Sequence, residues 1–441
     1  MIPYSLTFDQ PTLATMIEHD AVVQRYRTFF SFIDWRPLLQ PQTQQPRLGR
    51  PSHPEIAYVK AFLVKLIEGK EYVTQLRTFL LEHPLLILEL GFRLVLDATK
   101  PYGFDAQRTL PKKRWLTNKQ RTLDHGVVQN LLQASIHALQ AEIPALGETI
   151  AIDVKHIYAW VKENNPRVSL LGRFFPDRQP SGDPDCRVGV KKSTNLEQAD
   201  GSKKVQKECL WGYGSGVVAA TTPDYGDVVL AEYTLPFNEG DVTYFKPLYM
   251  QTVATLGSFP INLTVDAAYD AWYVYQRCVH HGGIAAVPLN QHGHPVYERA
   301  PDGVPLCPKK LRMQPTYQFD HTNGYRAQRF RCPLLHPQAT GASCDHPQFV
   351  KGKGCVKDVN WELGGQIRVQ LDRSSPHYKA IYTQRTSCER INSQAKALGI
   401  ERPKVRNRRS VHMLNTLIYL IINTRALQRA KSINTRLLQI H

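Results

Sequence analysis

The stretch Glu148-Thr-Ile-Ala-Ile-Asp-Val154 marks the point where the pattern of the chain changes. A short apolar run bounded by polar residues is typical of a buried β-strand. Near the end of this strand lies Asp153, a carboxylate that costs stability there unless it is solvated, hydrogen-bonded or bound to a cation. We therefore predict that a sheet begins at this strand and that Asp153 belongs to a functional site at the edge of that sheet. The alternative is that Asp153 only begins a loop.

The residues before this strand are predicted to be helical. Apolar side chains recur at helical spacing over residues 55–67, and similar segments follow at 72–81 and 127–143. Gly69 and the pair His83-Pro84 stand where the first two helices are expected to end. Residues 1–147 are therefore predicted to form a small all-α domain.

Strand and helix patterns alternate after residue 148. The mixture predicts an α/β fold over residues 148–290, with a mixed sheet and helices on its faces. The predicted strands are 211–220, 227–233, 261–265 and 283–288, and the predicted helices are 244–256 and 271–280.

An insert is predicted to interrupt this fold. Residues 291–376 are rich in Pro, Gly, Cys, His and Arg and contain short strand-like pieces such as 366–371, so we expect a β-rich insert. Residues 377–441 then complete the core with helices at 378–398 and 411–427, which flank a basic segment.

Positive charge is concentrated at one end of the chain. The 441 residues include 55 Lys and Arg against 38 Asp and Glu, a net charge of +17. Residues 301–441 hold 24 of these bases and 8 of the acids, a net +16. A surplus of this size predicts a polyanionic partner, most often nucleic acid.

The remaining composition excludes other classes. The first ten residues carry no basic region followed by an apolar run, so no secretory signal is expected. The longest apolar stretches are interrupted by charges or too short to cross a membrane. Eight Cys in a chain of this length fit a reducing compartment better than a disulfide framework. We expect a cytoplasmic protein without a membrane partner.

A group of polar residues follows the predicted insert. Tyr382, Arg385, Glu389 and Lys396 are separated by two, three and six residues. On a helix over 378–398 these steps place all four on one face, together with Asn392. A solvated face with an Arg385–Glu389 ion pair is the alternative explanation.

These residues resemble the Y-R-E-K signature of DDE-type insertion-sequence transposases, whose catalytic core is ribonuclease H-like. Asp153 and Asp266, in Thr264-Val-Asp266-Ala, are similar to the first and second catalytic aspartates of that family. The motif Leu48-Gly-Arg-Pro51, followed by helices, is similar to the helical leader of many members. Asp270 is the nearest rival to Asp266, which we prefer because it directly follows the apolar strand.

The resemblance implies a site and an activity. Asp153, Asp266 and Glu389 would hold two Mg²⁺ or Mn²⁺ ions, the arrangement that phosphoryl transfer on DNA requires. The implied enzyme is an endonuclease that binds the terminal inverted repeats of an insertion sequence, cleaves there and joins the ends to target DNA. It would act as a homodimer on double-stranded DNA, in the prokaryotic nucleoid. The resemblance implies that Tyr382, Arg385 and Lys396 contact the DNA end. Five cations within eight residues are predicted from their charge to contact the phosphate backbone, the alternative being a solvated face: Arg402, Lys404, Arg406, Arg408 and Arg409.

Cysteines in the insert allow a second metal. Cys307, Cys332, Cys344 and Cys355 could together hold Zn²⁺, although their spacing lacks paired C-x-x-C motifs. Free, partly buried thiols are the alternative. Trp361 in the insert is expected to pack in a core, the alternative being that it stacks on a DNA base.

Other classes of protein remain to be weighed. A tyrosine recombinase needs a nucleophilic tyrosine near its carboxyl end, but the last one here, Tyr419, lies in an apolar helix face. A transposase-derived DNA-binding protein without activity, or a non-transposing nuclease of the same fold, stays open. All three acids and all four signature residues are present, which favours the active enzyme.

Overall fold

The computed structural model describes residues 10–39, 53–197, 203–222, 224–290 and 298–440, so the predicted leader motif at 48–51 lies outside the described residues. The chain divides into two compact units. The first comprises Met1–Gly147, Asp153–Ser258 and Thr386–His441, and the second comprises Glu148–Ile152 and Phe259–Arg385.

The first part of the chain is all-α, as predicted. Asp20, Asp105 and Asp124 each cap a helix, because their carboxylates accept hydrogen bonds from the first free backbone N–H groups. The helices are α1 (Gln10–His19), α2 (Ala21–Ser31), α3 (Arg36–Leu39), α4 (Glu55–Ile67), α5 (Val73–Glu82), α6 (Pro84–Leu90), α7 (Ala106–Thr109), α8 (Lys113–Thr122) and α9 (His125–Glu142).

The strands form two sheets, a mixed core sheet and the antiparallel sheet of the insert. The core strands are β1 (Thr149–Tyr158), β2 (Arg187–Glu197), β3 (Lys203–Thr222), β4 (Gly226–Pro236), β5 (Asn262–Thr264) and β6 (Ala285–Ala286). The insert strands are β7 (Gln314–His321), β8 (Tyr325–Arg331) and β9 (Val356–Asn360).

Helices cover the core strands. In the first unit α10, α15 and α16 pack against β3 and β4, and in the second unit α14 packs against β5 and β6. The later helices are α10 (Phe245–Leu256), α11 (Trp272–Val279), α12 (Pro347–Val350), α13 (Leu363–Gln370), α14 (Pro376–Tyr382), α15 (Thr386–Ala397) and α16 (Arg408–Ile440).

Strand β1 belongs to both units. Its first residues pair in parallel with β5, which pairs in parallel with β6, in the second unit. In the first unit its later residues lie beside β3, which is antiparallel to both β2 and β4. The predicted fold class is confirmed as an α/β fold: a mixed sheet with flanking helices, preceded by an all-α segment and interrupted by a β-rich insert.

Three local predictions are wrong. Residues 366–371 were expected as a strand but lie mostly in helix α13, whose Gly364 packs against α11 so closely that an added Cβ would lie 2.0 Å from the Trp272 carbonyl oxygen. Strand β1 continues to Tyr158, so Asp153 lies within the strand and not near its end, and strand β2 was not predicted at all. The helix predicted over 378–398 is interrupted by a 3₁₀ turn at Thr383–Arg385.

The close approach of β1 and β3 needs glycine. A Cβ at Gly212 would lie 2.1 Å from the carbonyl oxygen of Ile157, a backbone atom that no side-chain movement can displace. Ile157 is fully buried, so β1 has no open space to move into.

Within the described residues, no helix is long and apolar enough to span a membrane.

We predict that Gly212→Ala destabilises the protein by at least the roughly 1–3 kcal/mol typical of overpacking, because its Cβ must displace backbone. Gly240→Ala is the matched control, since nothing lies within 4 Å of a Cβ built there. Thermal denaturation followed by circular dichroism measures both. Equal melting temperatures for the two variants would contradict the proposed contact.

Candidate active site

Asp153 lies on β1, partly buried, in the first unit. Its Oδ2 accepts a hydrogen bond of 2.9 Å from the Nδ2 of Asn392 on helix α15. Asn392 is itself buried, so the bond is shielded from competing water. The interaction fixes one carboxylate oxygen of Asp153 relative to α15.

Helix α15 also carries Glu389, three residues before Asn392. Residues three apart in a helix lie on neighbouring positions of one face, so Glu389 projects from the same face that reaches Asp153. Glu389 stands exposed in the first turn, where the helix dipole favours a negative charge. The first unit therefore joins two of the three predicted acids through one helix.

Lys396 is positioned by an ion-pair chain on the same helix. Its Nζ lies 3.5 Å from Glu401, whose other carboxylate oxygen lies 2.6 Å from Nζ of Lys155, two residues beyond Asp153 on β1. Burial opposes ionisation of Glu401, but hydrogen bonds and charge from the two lysines hold its pKa below its usual range. Lys396 remains largely exposed and free to reach a phosphate.

Asp266 lies in the second unit, directly after β5. Its Oδ1 accepts a 2.9 Å hydrogen bond from the backbone N–H of Ala268, which caps a short 3₁₀ turn. The paired residues Ala151 and Thr264 each stand two positions before a predicted catalytic aspartate, Asp153 within β1 and Asp266 just after β5. The pairing itself lies within the second unit.

Tyr382 lies near the same strand within the second unit. Its carbonyl oxygen accepts a 3.3 Å hydrogen bond from Thr264 Oγ1, and its ring stacks on that of Tyr378 with centroids 5.7 Å apart. The α14 helix ends at Tyr382, and Arg385 ends the 3₁₀ turn that follows. The four signature residues are thus carried by three helical segments, which corrects the expectation of a single helix face.

Asp270 is excluded as a metal ligand by its hydrogen bonds. Its side chain is 1% exposed, and both oxygens are held by Arg368 at 2.8 and 2.6 Å. Tyr275 donates to the same carboxylate at 2.6 Å, as does the backbone N–H of Asn290 at 2.7 Å. A fully satisfied buried ion pair has a structural role, which favours Asp266 over Asp270.

A row of aromatic rings carries the basic residues after α15. The Arg402 guanidinium lies 4.2 Å from the Tyr158 ring centroid, and that of Arg406 lies 4.9 Å from the Trp160 centroid. Two cavities of about 410 and 610 Å³ border this row. The row is called the aromatic–cationic strip below and consists of Tyr72, Tyr158, Trp160, Arg402, Lys404 and Arg406.

The strip is suited to a nucleic-acid strand. Trp160 and Tyr72 are each about two-fifths exposed, and Arg402 and Arg406 are exposed beside them, so aromatic surface and two cations are available together. Lys404 is more covered, and its ammonium lies 3.9 Å from Glu71. The predictions for Arg402, Lys404 and Arg406 concerned charge alone. The aromatic partners were missed, although the spacing Tyr158-Ala-Trp160 just after the strand of Asp153 was a usable signal.

The last two basic residues of the predicted set lie at the start of helix α16. Arg409 is exposed, and its guanidinium donates one hydrogen bond of 3.1 Å to the carbonyl oxygen of Leu123 within the first unit. The backbone N–H of Arg408 donates to Asp185 at 3.0 Å, and its partly exposed guanidinium lies 6.0 Å from the Tyr233 ring centroid.

The donor set fits the metal that the resemblance implies. Asp153, Asp266 and Glu389 supply carboxylate oxygens, the donors that Mg²⁺ prefers. Asp153 and Asp266 each have one oxygen oriented by a hydrogen bond, from Asn392 and from the Ala268 N–H respectively. Outer hydrogen bonds of this kind hold metal-binding carboxylates in place.

The insert cysteines meet in a small apolar core. Cys307, Cys332 and Cys355 are buried together, and Cys344 packs against the cluster that they help to form. Burial, with neighbouring Cys332 and Cys307, raises the pKa of the Cys355 thiol to about 12. A Zn²⁺ ion would have to displace the thiol protons of the cysteines that bind it. The zinc site at these four residues stays a prediction.

Two aromatic residues occupy packed positions. Trp361 packs against the insert core, with its ring 5.4 Å from that of Phe330. Tyr419 is fully buried on α16, and its hydroxyl lies 3.0 Å from that of Ser215. These positions agree with the expected core role of Trp361 and with the exclusion of Tyr419 as a nucleophile.

Comparisons with known proteins give a family. The family described as "Transposase DDE domain" matches residues 187–424, more than half of the chain, including Asp266 and Glu389 but not Asp153. A piggyBac transposase, in a cryo-EM structure of its synaptic complex with hairpin DNA, is similar with a TM-score of 0.35 and 10% identity, over 95% of this chain and 77% of that one. No curated protein gives a significant sequence match.

We predict that Arg368→Ala destabilises the protein by about 3–5 kcal/mol, because it leaves the buried Asp270 carboxylate without its counter-charge. Asp320→Ala is the matched control, since its partner Arg326 lies 3.8 Å away and Asp320 is 89% exposed. Such an exposed pair contributes at most about 1 kcal/mol. Urea denaturation of both variants measures the difference, and similar midpoints would refute a structural role for Asp270.

Proposed function

The chain belongs to the DDE transposase family, and we propose that it binds the terminal inverted repeats of an insertion sequence and catalyses Mg²⁺-dependent DNA cleavage and strand transfer. The observation that carries this proposal is the hydrogen bond from Asn392 to Asp153. It joins the helix of the proposed Y-R-E-K signature to a carboxylate within β1 that the family match does not reach. Asp153 is therefore favoured as the first acid of the triad.

We assign the metal-binding roles to Asp153, Asp266 and Glu389. When bound, two Mg²⁺ ions supply activation of the attacking oxygen and stabilisation of the leaving oxygen. The chain itself contributes orientation. Asn392 holds one oxygen of Asp153, and the Ala268 N–H holds one oxygen of Asp266. Both carboxylates then keep a fixed direction while the DNA phosphate is brought to them.

The DNA is held by residues outside the triad. Tyr382, Arg385 and Lys396 are proposed to contact the phosphate and the terminal bases of the element end. Lys396 is suited to this because its exposed ammonium is tethered by Glu401, so that less side-chain freedom is lost on binding. The aromatic–cationic strip extends the contact in the first unit, with Arg402 and Arg406 on phosphates and Trp160 on a base.

Assembly and location follow from the proposed reaction. Joining both ends of an element to a target requires two ends to be held at once, so we propose a homodimer on double-stranded DNA. The protein would work in the prokaryotic nucleoid, where that DNA lies.

We predict that Asp153→Asn, Asp266→Asn and Glu389→Gln each lower the rate of Mg²⁺-dependent cleavage at the repeat boundary by at least a hundredfold. Each removes one metal-binding charge with little change of shape, so DNA binding is expected to persist. Gel assays on labelled DNA carrying the element's flanking repeats measure both cleavage and binding. Asp320→Asn is the control, because this exposed carboxylate lies in the insert.

The outcomes separate the alternatives. Binding without cleavage by the unaltered chain in Mg²⁺ or Mn²⁺ would identify an inactive DNA-binding descendant. Cleavage without joining to target DNA would identify a non-transposing nuclease. Cleavage that survives all three substitutions would show that other carboxylates hold the metal.

We predict that replacing both Arg402 and Arg406 by Ala weakens binding to repeat DNA and makes log K less dependent on log salt. The slope is expected to fall by about 0.9 for each phosphate that the variant no longer neutralises. Arg436→Ala controls for charge, since Arg436 is exposed on α16 away from the strip. Fluorescence anisotropy across salt concentrations gives both slopes. An unchanged slope in the double variant would remove the strip from the DNA interface.

A further inference from the structure

Three metal-binding side chains meet within the first unit, away from the residues proposed for catalysis. His125 begins helix α9, Glu232 lies on β4, and His412 lies in helix α16. One ligand atom from each lies within 4.8 Å of the other two. Because the three residues lie far apart in the sequence, no spacing motif predicts the cluster.

The distances are close to those of a metal site. His412 Nε2 lies 2.8 Å from Glu232 Oε1, and His125 Nε2 lies 4.0 Å from the same oxygen. Tetrahedral Zn²⁺ holds His and carboxylate donors at about 2.0–2.2 Å, which separates the donors by roughly 3.3 Å. The amide nitrogen of Gln129 lies among the three ligand atoms, 2.7 Å from Glu232 Oε1, 3.4 Å from His125 Nε2 and 3.5 Å from His412 Nε2. An ion would take the place of this amide, which must turn away when the ion binds.

Glu232 is a buried carboxylate that a bound cation would stabilise. Its side chain is completely inaccessible to solvent. Oε1 accepts hydrogen bonds from Thr416 at 2.6 Å and from Gln129 at 2.7 Å, in addition to the His412 contact. Among the described residues, Oε2 has no hydrogen-bond partner although it is buried. A buried carboxylate with one unpaired oxygen is costly, and a cation bound through both oxygens would remove that cost.

His125 presents its Nε2 to the cluster. This nitrogen lies 3.0 Å from Thr416 Oγ1, the hydroxyl that also donates to Glu232. The side chain of His125 is 23% exposed, so an ion and a water ligand can reach the cluster from this side.

We propose that His125, Glu232 and His412 form a structural site for a divalent transition-metal ion of the Zn²⁺ type. Two imidazole nitrogens and one carboxylate suit Zn²⁺ better than Mg²⁺, which prefers oxygen donors throughout. The fourth position falls to water. The ion joins α9 of the helical leader to β4 and α16 of the core, three elements that already pack together.

The test uses the full-length chain without DNA, stripped by a chelator and then titrated with Zn²⁺ or Co²⁺. We expect a raised melting temperature with Zn²⁺ and a tetrahedral visible spectrum with Co²⁺. Glu232→Gln and His125→Gln are both expected to lose the ion. His137→Gln is the control on the same helix, because its ring bonds only the Thr255 carbonyl in the described structure.

Metal binding by the insert cysteines can be distinguished from binding at the proposed site by the cobalt spectrum. A thiolate-bound Co²⁺ gives a strong near-ultraviolet charge-transfer band, which the proposed nitrogen–oxygen site lacks, and Cys332→Ser with Cys355→Ser removes that contribution. Asp153→Asn must keep the ion, so that a failed nuclease assay and a failed metal site are told apart. The proposal is overturned if the chain carrying both serine substitutions binds no Zn²⁺, or if the folded His125→Gln variant binds it as the unaltered chain does.

Discussion

The backbone hydrogen bonds of β1 are the constraint on which the candidate active site depends. Parallel pairing with β5 sets Ala151 opposite Thr264, and each of these residues stands two positions before a candidate aspartate along the chain. The later residues of β1 lie against β3. There the Ile157 carbonyl oxygen approaches Gly212 so closely that a Cβ at residue 212 would clash with it. A shift of one residue in β1 would turn Asp153 to the other face of the sheet. The site therefore depends on strand register before it depends on any charge.

The positively charged side chains near β1 are held by short contacts with neighbouring residues. Glu401 holds Lys155 and Lys396, and the segment after it lays Arg402 and Arg406 on the rings of Tyr158 and Trp160. Aromatic faces hold a guanidinium without neutralising it, so its charge stays available to a phosphate. A carboxylate partner does the opposite, as Arg390 shows in its pair with the buried Asp227. The strip thus keeps its positive charge for a ligand.

Much of the site could be predicted because its signals are local. The strand before Asp266 ends close to that residue, and the spacing of Glu389 and Lys396 predicts one helix face, which α15 confirms. Asp153 was expected near the end of its strand but lies within β1, because the chain stays extended to Tyr158. Tyr382 and Arg385 were assigned to the same helix because periodicity alone does not reveal a 3₁₀ turn. The helix at Gly364 was missed because its close packing on α11 outweighs the β-branched side chains of that segment.

The sequence by itself determined the fold class, the positive carboxyl-terminal region and the identity of the candidate acids, since each follows from local pattern or composition. Only the tertiary structure decided that Asp270 is locked by Arg368 and that Asn392 reaches Asp153. It alone brings His125, Glu232 and His412 together. The physical reason is the same in each case: a hydrogen bond or an ion pair between distant residues depends on how strands and helices pack, and no spacing along the chain records that distance.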